Sequence, residues 1–63
     1  MNYKELVQKI YPNASFFFQR GFSEYIILDK DLYVIGIWRN TEEKAWEATW
    51  NLISKKMLER LES

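Results

Sequence analysis

The chain has 63 residues, nine Lys plus Arg against nine Asp plus Glu, and no cysteine or histidine. That excludes disulfide staples and zinc in its common nitrogen and sulfur coordination. It also leaves the chain without the basic excess by which nucleic-acid binders displace counterions. A single domain of this size buries only about 60% of the surface its unfolded chain exposes, so it needs a compensating resource. Eleven aromatic residues supply one, and a partner subunit could supply another.

Asn2 to Tyr11 reads as a helix: Asn2 and Glu5 fit a capping box, and Tyr3, Leu6, Val7 and Ile10 recur at helical spacing. Pro12-Asn13 ends it. Ala14 to Arg20 is a strand centred on three phenylalanines, and Gly21-Phe22-Ser23 a turn. Glu24 to Leu28 is a second strand, Asp29-Lys30-Asp31 a tight turn, and Leu32 to Trp38 a third strand. Either Asn40 or Thr41 can cap the final helix, Asn40 with Glu43 making the better box. Its early glutamates and late Lys55, Lys56 and Arg60 suit the helix dipole. The order predicts one α+β domain over residues 1–63. It is a two-layer α-β-β-β-α sandwich, its three-stranded antiparallel meander carrying both helices on one face.

The passage Gly36-Ile37-Trp38-Arg39-Asn40-Thr41-Glu42-Glu43-Lys44-Ala45-Trp46-Glu47-Ala48-Thr49 resembles the end of a double-stranded-RNA-binding domain. The element order is also similar to small "ABA sandwich" domains of phage proteins. The first likeness departs at its chemistry. The family's phosphate-binding lysines fall on Glu42 and Glu43, and a later one on Trp46, so duplex nucleic acid is not an expected partner. The second implies a phage or mobile-element protein that binds or inhibits a host protein.

Nothing in the residues suggests catalysis: there is no phosphate-binding loop, nucleophile elbow or dinucleotide fingerprint. Asp29 with Asp31 flanks a turn and Glu42 with Glu43 starts a helix, solvated places with structural uses for carboxylates. No metal or cofactor is expected. No stretch is long and apolar enough to span a membrane, and the N-terminus reads as no signal peptide, so a cytoplasmic location is expected and the sequon Asn13-Ala14-Ser15 counts as chance.

The sheet is more specific. A two-residue turn at Lys30-Asp31 pairs Leu28 with Tyr33, Ile27 with Val34 and Ile26 with Ile35. Ile26, Leu28, Ile35 and Ile37 then form the core face with Phe16 and Phe18, backed by Leu6, Ile10, Ala45 and Leu52. Phe17, Tyr25, Ile27, Val34 and Trp38 face outward, Gly36 leaving a flat spot. An apolar patch of that kind marks an interaction site, most simply a two-fold homodimer. The competing reading is single-stranded nucleic acid stacked on the same aromatics. The helical column Trp46, Trp50, Ile53 and Met57 reads first as cover for the first helix, and as a second candidate interface only if that helix packs elsewhere.

Overall fold

The computed structural model describes residues 2–62. The fold is α+β: helix α1 (Tyr3–Ile10), strands β1 (Ser15–Gln19) and β2 (Glu24–Leu28), and helix α2 (Glu42–Glu62). Asn2 caps α1, its Oδ1 accepting from the Glu5 amide at 2.8 Å. At α2 the cap is Thr41, whose Oγ1 accepts from the Lys44 amide at 3.1 Å, so the capping box on Asn40 is not used. Among the described residues no helix is long and apolar enough to cross a membrane.

The expected three-stranded meander is reduced to two strands. β1 and β2 pair antiparallel, from Ser15 opposite Leu28 to Gln19 opposite Glu24. Residues 33–39 run along the other side of β2 but touch its ladder only at two isolated bridges, Leu28 with Val34 and Tyr25 with Arg39. Between those bridges β2 has two residues and the facing segment four. The two extra residues make a bulge around Gly36 that breaks the ladder.

The loop before this segment sets its register. Leu32 donates to the Asp29 carbonyl at 3.0 Å and takes a left-handed φ of 65°. The Asp29 carboxylate accepts from the amides of Asp31 (2.8 Å) and Tyr33 (3.0 Å). The turn is thus one residue longer than Lys30-Asp31 implies, and Leu28 meets Val34 rather than Tyr33. A slip of one residue exchanges faces between paired strands, but β2 has slipped too, so Val34 stays exposed and Ile35 still packs against the core.

Helix α2 packs on α1 and on β2, while neither helix packs extensively on β1. One core cluster joins Val7 of α1, Ile27 of β2 and Ala45, Trp46 and Ile53 of α2, with Ala14 beneath β1. Tyr25 and Ile35 pack against it. On β2 the expected core was right about Ile26 and wrong about its neighbour: Ile27, assigned outward, is fully buried, because the four-residue loop 20–23 pairs Phe16 with Ile27 and Phe18 with Tyr25. Phe16 and Phe18 do lie on the side of Ile27, yet stay over a third exposed because no helix extends over β1. Ile10 and Ile37, also expected inside, are exposed, and Leu6, Leu28, Ile35 and Leu52 are half-buried. Ala45 and Ile26 are buried as expected.

Gly36 is where the bulged segment meets α2. A Cβ there would collide with the Thr49 hydroxyl and come within 3.5 Å of Ile27 Cβ. Thr49 is itself fully buried, its hydroxyl donating to the Ala45 carbonyl at 2.8 Å. Gly36 is therefore part of the core contact, not a flat spot on the outer face.

Candidate binding surfaces

The residues expected to form one outward patch are divided by the true register. Paired residues of an antiparallel ladder share a face, so Tyr25 stands with Phe16 and Phe18 on the helix side. Their rings meet at centroid distances of 5.6 and 4.8 Å. Ile27 is sealed inside that side, and the half-buried Gly36 packs against it and Thr49. Phe17, opposite Ile26, belongs to the other face, and Ile26 is nearly closed off even there. Val34 is exposed at its bridge to Leu28.

What survives of the patch is a shallow hollow lined by Phe17, Gln19, Phe22, Glu24 and Trp38. Phe17 keeps 48% of its surface exposed, Trp38 40% and Phe22 75%. Phe22 is the residue that sequence reasoning missed. It sits in the turn between the strands, where the left-handed Ser23 (φ 50°) shapes the loop, and a turn position carries no face assignment in a strand pattern. Arg39 is tied back, one guanidinium nitrogen donating to the Trp38 carbonyl at 2.9 Å.

The column on α2 is also split. Trp46 is buried in the core, its indole N–H donating to Glu42 Oε2 at 3.0 Å and Lys4 Nζ lying 6.0 Å from the ring centroid. Trp50 is half-buried against the same cluster. Met57 is exposed and lines an open groove with Ile10, Tyr11, Val34 and Ile53. From Lys55 to Leu61 every residue of α2 is exposed, Leu58 and Leu61 included. Beyond the body of the fold, the helix carries its apolar stripe uncovered.

One carboxylate of each pair, Asp29 and Glu42, has a structural bond. Asp29 caps its own loop, and Glu42 takes the Trp46 indole. Among the described residues no group of three or more acidic side chains is arranged to hold a metal ion. Compared with protein families, with curated proteins and with solved structures, the chain matches none.

Proposed function

We propose that this is a non-catalytic protein-recognition domain whose docking surface is the outer sheet face at Phe17, Phe22 and Trp38. The carrying observation is the hollow itself: three large aromatic side chains stand exposed around it, with Gln19 and Glu24 as its only polar lining. Aromatic residues without a charged core are the composition of interface centres, where a few such anchors supply most of the binding energy. Nucleic acid fits the face less well. A stacking platform needs cations along the strand path, and Glu24 lies within the hollow while Arg39 is held against the Trp38 carbonyl.

The test is affinity capture with two baits, the parent and Phe22→Ser/Trp38→Gln, circular dichroism serving to show that both are folded. At least one protein should be retained by the parent and lost by the double variant, a drop of roughly 2 kcal/mol or more in binding. Identical capture profiles for the two folded baits would refute the reading.

A further inference from the structure

The chain exposes 4909 Å² for a mass of 7.7 kDa, where a compact monomer of that mass exposes about 4,300 Å². The surplus, about 600 Å², approaches the roughly 800 Å² that one partner brings to a standard interface. It is not spread evenly. β1 contributes Phe16, Phe17 and Phe18, all at least 39% exposed, and among the described residues no strand lies on its free side. β2, by contrast, is flanked by β1 on one side and by the bridged segment on the other. An exposed strand without charge or proline is a template for further pairing, since its outward amides and carbonyls seek partners.

We propose that β1 pairs antiparallel with β1 of a second copy of this chain, about a two-fold axis through Phe17. The strand Ser15-Phe16-Phe17-Phe18-Gln19 is symmetric in character about its centre. Self-pairing there sets Phe16 against Phe18 of the copy, Phe17 against itself and Ser15 against Gln19. Every apolar residue meets an apolar one and every polar residue a polar one, which is the self-complementarity that a two-fold contact requires. Phe16, Phe18 and Tyr25 of both chains then form one aromatic cluster on the helix side. A neutral chain brings no net repulsion to its copy. Pairing consumes the free edge of β1, so the contact closes as a dimer rather than extending into a fibre. The edge adjoins the outer-face hollow and shares Phe17 and Gln19 with it, whereas Phe22 and Trp38 lie off β1, so a change at Trp38 separates the two contacts.

The register is tested with charges at the strand ends, read by sedimentation at low salt. In Ser15→Lys/Gln19→Lys, lysines face each other at both ends of the paired strands. In Ser15→Glu/Gln19→Lys, each lysine faces a glutamate. The first variant should weaken the parent's dimer roughly fivefold, and the second should be tighter than the first by roughly tenfold, a gap that closes in high salt. Trp38→Glu should leave the dimer constant unchanged. A parent that stays monomeric at high micromolar concentration overturns the proposal, as do equal dimer constants for the two charge variants. A dimer lost on Trp38→Glu but indifferent to both charge pairs also overturns it, and assigns self-association to the outer face instead.

Discussion

Ile27→Ala should lower stability by roughly 2–5 kcal/mol, leaving much of the population unfolded, because the lost methyl groups vacate the centre of the core cluster. Ile27 is fully buried between α1, α2 and the bulged segment, and it lies beside both Gly36 and Thr49. The half-exposed neighbour in the facing segment gives the contrast: Val34→Ala should change stability by about 0.5 kcal/mol or less. Thermal or urea unfolding of the two variants measures both. A melt for Ile27→Ala within a degree or two of the parent would mean that β2 presents its other face to the helices.

Gly36→Ala should be costly even though the substitution adds one methyl group. That methyl would enter the space held by the Thr49 hydroxyl, which is buried and engaged with the Ala45 carbonyl. Overpacking of this kind costs about 1–3 kcal/mol. Thr49→Ala removes the colliding oxygen and leaves a Cβ at 3.3 Å, which small shifts absorb. The double variant Gly36→Ala/Thr49→Ala should therefore be more stable than the sum of the single effects allows, by roughly 1 kcal/mol or more. A strictly additive cycle would show that the segment does not touch α2 at this point.

The helices were legible in the sequence because their signals are local. Asn2 sits three residues before Glu5, and the stripe through Leu6 and Val7 has one helical reading. The sheet was legible only as far as its first hairpin. Strands β1 and β2 carry apolar residues at nearly every position, so alternation alone cannot tell Ile26 from Ile27. The parity is decided by loop lengths, and both loops hide theirs. In each, a left-handed residue is one that rarely signals it, Ser23 in the first and Leu32 in the second. The longer second turn displaced the segment by one residue, and the bulge at Gly36 then removed it from the sheet. Of the expected surface residues, Phe17, Val34 and Trp38 stayed exposed, Phe17 on the face opposite Ile27, Val34 at its bridge to Leu28 and Trp38 at the end of the segment beyond the bulge. Ile27 went inside with the register error, and Gly36 closed against it and Thr49. Trp46 went inside with Val7 of α1, which is the use of the Trp column as cover for the first helix.

The excess of apolar surface runs through all of this: three phenylalanines on a strand with one free edge, Phe22 and Trp38 around a hollow, and Met57, Leu58 and Leu61 on the uncovered end of α2. A chain of 63 residues without disulfide or zinc support gains stability from whatever covers that surface. Molar mass in solution, followed by light scattering over a concentration series, tests this most directly. The mass should rise with concentration toward twice the chain's 7.7 kDa and level off there. A mass that stays at the single-chain value into the high micromolar range would contradict it.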